Sequence, residues 1–186
     1  MDKPPTNRNW HLSLCSIVLM MIFQVALGQN KVDVDVDARK VKSQDSIIQN
    51  LYQVISGAKG EKRDWELFRF LFLPEARLIP TGRKAEGGFG SRFLSVDEYI
   101  ETSGAWLEEN GFFEKEISRR IETYGSVSHV FSTYESFRNP DDTEPFMRGI
   151  NSIQLFFDGE RWWIVNIFWM PESEEFPIPK QYDQKQ

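Results

Sequence analysis

Residues 148–169 read RGINSIQLFFDGERWWIVNIFW, two apolar runs on either side of Asp158-Gly159-Glu160. Asp-Gly between such runs is a strong signal for a tight hairpin, because glycine reaches positive φ without a steric penalty. Met147–Phe157 and Arg161–Met170 are therefore expected as paired antiparallel strands. The second of them (WWIVNIFW) is apolar on both faces, so both faces need cover. Working back toward the N-terminus, Arg138–Phe146 holds Asn-Pro-Asp-Asp, a loop signal. Ser126–Phe137 (SVSHVFSTYESF) is rich in Val, Phe, Thr and Tyr and predicts another strand. Phe112–Tyr124 is ambiguous. Phe113, Ile117, Ile121 and Tyr124 fit a helical stripe, while Phe113, Ile117 and Ile121 also fit one face of a strand.

Further upstream the period changes to that of helices. Ser43–Ala58 carries Ile47, Ile48, Leu51, Tyr52 and Ile55 at helical spacing, with Ser43 or Asp45 as cap and Gly57 and Gly60 beyond its end. Asp64 is placed to cap a second helix bearing Leu67, Phe68, Leu71 and Phe72, which Pro74 stops. Ala76–Thr81 predicts a short strand, and Pro80 argues for a sheet edge. Residues 82–92 (GRKAEGGFGSR) are glycine-rich but lack the Gly-Lys-Ser/Thr ending of a phosphate cradle, and read as a flexible loop. Ser95 and Glu98 form a capping box for a third helix with Tyr99, Ile100, Ala105, Trp106 and Leu107 on its apolar side. The acidic, then proline-rich stretch from Pro171 is expected to fray.

The ends and the composition narrow the class. Lys3 and Arg8 precede an apolar run, Leu12–Leu27, and Ala26-Leu27-Gly28 offers small residues for a cut before Gln29. That is the three-part plan of a secretory leader. The alternative, a retained anchor, is disfavoured because the run is shorter than the ~20 residues a spanning helix needs. The expected order is a leader over 1–28, a linker over 29–44, one domain over 45–172 and a polar tail over 173–186. The product is expected outside the cell or in the periplasm, with no membrane attachment after cleavage. Hydrophobic residues at 40% exclude a disordered chain, and a net charge of -6 argues against nucleic acid as partner. Cys15, in the leader, is the lone cysteine, so no disulfide framework or multi-thiolate zinc site is available. No metal ligand set and no cofactor motif stands out.

The order of elements resembles a nuclear-transport-factor-2-like (SnoaL-like) domain. Four stretches carry the resemblance: DWELFRFLFLPEARLIP at 64–80, SVDEYI at 95–100, GSVSHVFSTYESF at 125–137, and the hairpin at 148–169. The resemblance implies an α+β fold, a strongly curved mixed or antiparallel sheet wrapped around three N-terminal helices as a cone-like barrel. It also reads 112–124 as strand. Relatives of this kind hold a small hydrophobic molecule in the cone, as isomerases, dehydratases, cyclases or hydrolases, or serve as dimerisation or protein-docking modules. A homodimer through the sheet face follows from the same likeness.

Within that frame the expected function is binding of a small hydrophobic molecule in an apolar pocket. The alternatives are a lyase or isomerase using His129, or a non-enzymatic docking module. His129 is the only histidine of the mature chain and shares a strand face with Val127, Phe131, Thr133 and Glu135. It reads as a general acid/base, a ligand contact or a structural residue. Tyr52, Asp64, Trp65, Phe68, Tyr99 and Trp106 on the helices are candidate ligand contacts, joined by Phe131, Asn151 and Trp169 on the strands. Asp64 has the competing reading of helix cap.

Overall fold

The structure is a computed structural model that describes residues 38–184. Leader, cleavage point and Cys15 lie outside the described residues, as does the linker up to residue 37. The chain divides into two compact units, Met1–Arg39 and Lys40–Gln186, and the elements below all belong to the second.

Helix α1 spans Gln44–Ile55 and starts at Ser43, whose side chain accepts from the Ser46 backbone while Ser46 answers the cap. Its stripe of Ile47, Ile48, Leu51, Tyr52 and Ile55 is buried, as the spacing predicts. Helix α2 is short, Trp65–Leu71, and Asp64 caps it by accepting the Leu67 N–H at 2.9 Å. Helix α3 covers Val96–Asn110 behind the Ser95/Glu98 capping box and ends at Gly111, with φ of 70°. The strands are β1 (Phe72–Arg83), β2 (Phe89–Ser91), β3 (Phe113–Tyr124), β4 (Val127–Phe137), β5 (Met147–Phe157) and β6 (Trp162–Pro171).

One six-stranded curved sheet results, ordered β2-β1-β6-β5-β4-β3 and left unclosed. β3 through β6 form an antiparallel run, joined where expected at Asp158-Gly159. Gly159 takes φ of 103°, and Asp158 Oδ1 accepts the N–H groups of Glu160 and Arg161 at 2.8 Å each. The fold is thus the expected α+β arrangement, with a mixed sheet because β1 joins β6 in parallel.

Four local expectations are corrected. β1 is long and interior rather than a short edge strand, since β2 returns from the glycine-rich loop to pair with Thr81–Arg83. Pro80 is tolerated there because its nitrogen faces the 92–94 side rather than β6: Leu78, two residues earlier, exchanges both backbone bonds with Leu94, and the Pro80 carbonyl accepts the Arg92 N–H at 3.2 Å. The expected common face of Phe113, Ile117 and Ile121 is broken by a register shift between Glu116 and Ser118, after which Ile121 packs on the core. Val41, at the end of the expected linker, is 0% exposed, and its carbonyl accepts the Trp162 N–H. Finally, the stretch expected to fray runs back over the sheet's outer face, where the Thr133 hydroxyl donates to the Tyr182 carbonyl at 2.7 Å. A second subunit on that face would have to share it with this segment.

The core lies between the helices and the inner face of the sheet, and includes Phe68, Leu71, Val130, Tyr134, Ile153 and Ile164. Gly149 on β5 is required by close approach. A Cβ there would stand 2.4 Å from the Tyr134 hydroxyl and 2.6 Å from the Met170 carbonyl oxygen. The phenol therefore lies against bare backbone, which fixes where its hydroxyl points.

Candidate functional site

Side chains alternate across a strand, so each strand contributes every second residue to the helix-facing side. On β3 that side carries Glu114 and Glu116, which pair across to Ser136 and Tyr134 of β4. β5 adds Asn151 and β6 adds Trp169. Opposite them stand Phe68 of α2 and Tyr99, Ser103 and Trp106 of α3. A cavity of about 200 Å³ remains between these two layers. Phe68 and Tyr99 stack at 5.5 Å, and Tyr99 meets Trp169 edge-on at 6.4 Å.

The polar groups of this hollow are few and strongly perturbed. Burial pushes the Glu114 carboxyl up to about 7, against the opposing pull of hydrogen bonds from Ser136 and Asn151. Ser136 Oγ donates to Glu114 Oε2 at 3.1 Å. Burial first, and then the charge of Glu114, push the phenols of Tyr99 and Tyr134 above the ordinary tyrosine value. Near neutral pH both phenols are therefore protonated donors, while Glu114 sits close to its own midpoint. Among the described residues the Tyr134 hydroxyl has no hydrogen-bond partner, although the residue is 1% exposed and lines the cavity. A buried donor left unpaired costs about 1–3 kcal/mol.

A second polar chain leads away from the hollow under α1. Asn151 Nδ2 donates to the Tyr52 hydroxyl at 3.0 Å. Tyr52 Oη lies 2.7 Å from Ser132 Oγ, which in turn donates to Glu116 Oε1. Ser132 has one proton and gives it to the carboxylate, so Tyr52 must be the donor to Ser132. Glu116 is held by Arg119, which also reaches Asp45 on α1 at 2.8 Å. This chain holds the Asn151 amide in one orientation beside Glu114.

The structure brings five of the sequence candidates together around the cavity: Phe68, Tyr99, Trp106, Asn151 and Trp169. Tyr52 adjoins them through Asn151. Trp65 stands one layer back, its indole donating to Glu108 at 3.2 Å and its ring covering Gly104. Asp64 caps α2. His129 and Phe131 are on the opposite, outer face of the sheet. There His129 Nε2 lies 3.0 Å from Ser152 Oγ, and the two rings are 5.8 Å apart. Among the described residues no group of three His, Cys, Asp or Glu is placed to hold a metal ion.

Sequence reasoning missed Glu114 and Tyr134. Glu114 lies in FEKE, which reads as an ordinary solvated edge, and Tyr134 lies among serines and threonines. The usable signal was parity: once 113–124 is strand, Glu114 and Glu116 share one face, and Tyr134 falls on the same face as Val130.

No protein-family model and no curated protein matches the chain. Solved structures do match in shape. A nuclear-transport-factor-2-like protein of unknown function from Pseudomonas putida aligns with a TM-score of 0.52 at 10% identity, covering 75% of this chain and 92% of that one. A protein of unknown function with a cystatin-like fold from Nostoc punctiforme gives 0.51 at 11% identity, covering 69% and 87%. The yeast UBP3-associated protein BRE5 gives 0.50 at 13% identity, covering 69% and 93%. At such identities shape alone is shared. With its element order, mixed curved sheet and helix-covered hollow, the chain has the nuclear-transport-factor-2-like fold.

Proposed function

We propose that this is an exported small-molecule-binding protein whose ligand occupies the hollow between α2, α3 and the inner sheet face. The ligand is largely apolar and presents one acceptor oxygen to the Tyr134 hydroxyl. That unpaired, buried hydroxyl is the observation that carries the reading, since an acceptor from the ligand would remove its penalty. The hollow's volume of about 200 Å³ favours a compact ligand, because drug-sized ones take roughly 300–1,000 Å³. Proton transfer is a second reading, supported by Glu114, whose carboxyl at about 7 suits an acid or base near neutral pH. His129, on the other face, takes no part in either.

The test is thermal stabilisation by a panel of small cyclic ketones and their alkane counterparts. Ligand at a hundred times its Kd should add about 2.7 kcal/mol to the parent. Tyr134→Phe should fold and lose most of that gain for ketones, and His129→Ala should keep it. A panel without a hit, or a Tyr134→Phe variant that responds like the parent, rejects the binding reading. The same samples in deuterated water report proton transfer. Exchange of the ketone's α-hydrogens that disappears in Glu114→Gln supports it, and absence of exchange in the parent rejects it. Export rests on the leader sequence. The expected released product begins at Gln29 by mass, and an intact N-terminus on the released protein would overturn cleavage.

A further inference from the structure

The segment after β6 makes a closed ring. Arg148 on β5 has Nη1 3.2 Å from the Glu172 carboxylate and Nη2 on Asp183, so both ends of the segment meet one guanidinium. Its Nε lies 3.3 Å from Glu135 on β4, which holds the arginine in place. Between the two ends the chain swings out to the β1–β2 edge, where Arg83 of β1 pairs with Glu175 and the ring of Phe89 on β2 meets that of Phe176 at 5.5 Å. It returns through a single 3-10 turn at Lys180–Tyr182, whose tyrosine packs on Phe131 at 4.9 Å and under Arg120. A loop of this length with its ends clasped is an Ω-loop, a form often found at functional sites.

The ring does not collapse onto the sheet. A chamber of about 760 Å³ lies beneath it, several times the volume of the inner hollow and on the opposite face. Phe131, Ile150, Phe168 and Met170 form its floor, and Phe176 and Ile178 part of its roof. Phe168 is 48% exposed there. That volume lies in the range of ligand sites and its surface is mostly apolar. Access decides the kind of occupant. A folded partner covering the whole floor would have to displace the Glu172–Asp183 segment that lies over part of it, whereas a narrow chain fits beneath that segment in place. Charge decides the head group. Glu135, Glu172 and Asp183 outnumber the single Arg148 they share, and Arg83 is matched by Glu175, so an added carboxylate meets excess negative charge, while the Ser91 hydroxyl, and the oxygens of Thr81 and Ser152 beside their bonds to the Trp169 carbonyl and His129, suit a neutral head.

We propose that the Glu172–Asp183 loop roofs a second binding site, for a neutral ligand with a long hydrocarbon chain and a hydroxyl or ester head, with Arg148 as its clasp. The site lies on the other face of the sheet from the hollow and shares only Trp169 with it, and its test separates the two. Calorimetric titration of the protein with decan-1-ol should show saturable one-site binding, with decanoate at least ten-fold weaker. Phe168→Asp on the floor should weaken decan-1-ol at least ten-fold, Arg148→Gln should weaken it too, and Tyr134→Phe should leave it unchanged. Phe176→Asp on the roof repeats the test should Phe168→Asp fail to fold. Absence of saturable binding by decan-1-ol overturns the proposal. So does binding lost in Tyr134→Phe but kept in Phe168→Asp, which assigns the ligand to the hollow. A dimer in sedimentation that excludes decan-1-ol and dissociates on Phe168→Asp puts a second copy in the chamber and overturns it as well.

Discussion

Arg63→Ala is expected to destabilise the protein by about 3–5 kcal/mol, the largest effect of any single truncation outside the apolar core. Arg63 is 6% exposed, and its guanidinium gathers four backbone carbonyls. Nε donates to Ile55 at 2.9 Å, Nη1 to Glu61 at 2.5 Å, and Nη2 to Gly57 at 2.8 Å and Leu107 at 3.1 Å. Ile55 is the last residue of α1, and Leu107 lies in the last turn of α3. These are carbonyls that a helix cannot satisfy internally, at the negative end of its dipole. One side chain therefore closes two helices and the turn between α1 and α2. Burial lowers the arginine's pKa, while Glu61 and Glu108 oppose that shift. Charged hydrogen bonds contribute about 1.5–3 kcal/mol each but do not add fully, hence the range. Arg63→Lys should recover only part, because an ammonium cannot reproduce the fork. Urea unfolding monitored by tryptophan fluorescence decides it. A loss under about 1 kcal/mol would mean that water replaces these contacts without penalty. Leu107 also lines the hollow, so loosening α3 should weaken any ligand seated there.

Glu114→Gln should remove a pH dependence and raise stability in mild alkali. The folded carboxyl is displaced by burial from an ordinary 4.5 to about 7. The folded protein therefore binds this proton more tightly than the unfolded chain does. Stability contributed by the protonated form is complete below about 4.5 and is lost as pH rises through about 7. A displacement of that size corresponds to about 3 kcal/mol once the group is fully ionised. Glutamine keeps the shape and carries no charge, so the variant should match the parent near pH 4 and exceed it by up to about 3 kcal/mol near pH 8. Denaturant midpoints across this range test the sign. A parent whose stability is flat between about pH 5 and pH 8 would place the carboxyl in water instead. A charged group kept at such a penalty in a cavity wall is the pattern of a site in which function opposes stability.

Much of this was readable one segment at a time. Ser43, Asp64 and the Ser95/Glu98 pair start helices because a side-chain oxygen can reach the third N–H beyond it, and that needs no tertiary information. Asp158-Gly159 turns the chain for an equally local reason. The aromatic residues of α2 and α3 were legible as a wall of the hollow because helical spacing puts Phe68, Tyr99 and Trp106 on apolar stripes.

Which strand residues meet that wall was not local. His129 sits on a face with Phe131 and Val127 that looks apolar enough to be interior, yet Ser128, Val130, Ser132 and Tyr134 are the residues turned toward the helices. Parity says who shares a face; only packing against α1 and α2 says which face is inside. The bulge between Glu116 and Ser118 then exchanges the two faces of β3 midway, leaving Glu114 and Glu116 inward before it and Ile121 inward after it. The elevated pKa of Glu114 comes from burial by elements distant in sequence, which outweighs the opposing hydrogen bonds of Ser136 and Asn151, and the tail's path depends on Arg148 meeting Glu172 and Asp183 together. Caps, turns and periodicity arise from neighbours a few residues apart and so are written in the order of the chain. Facing, burial and charge environment arise from elements brought together by folding, where a slip of one residue reverses the answer.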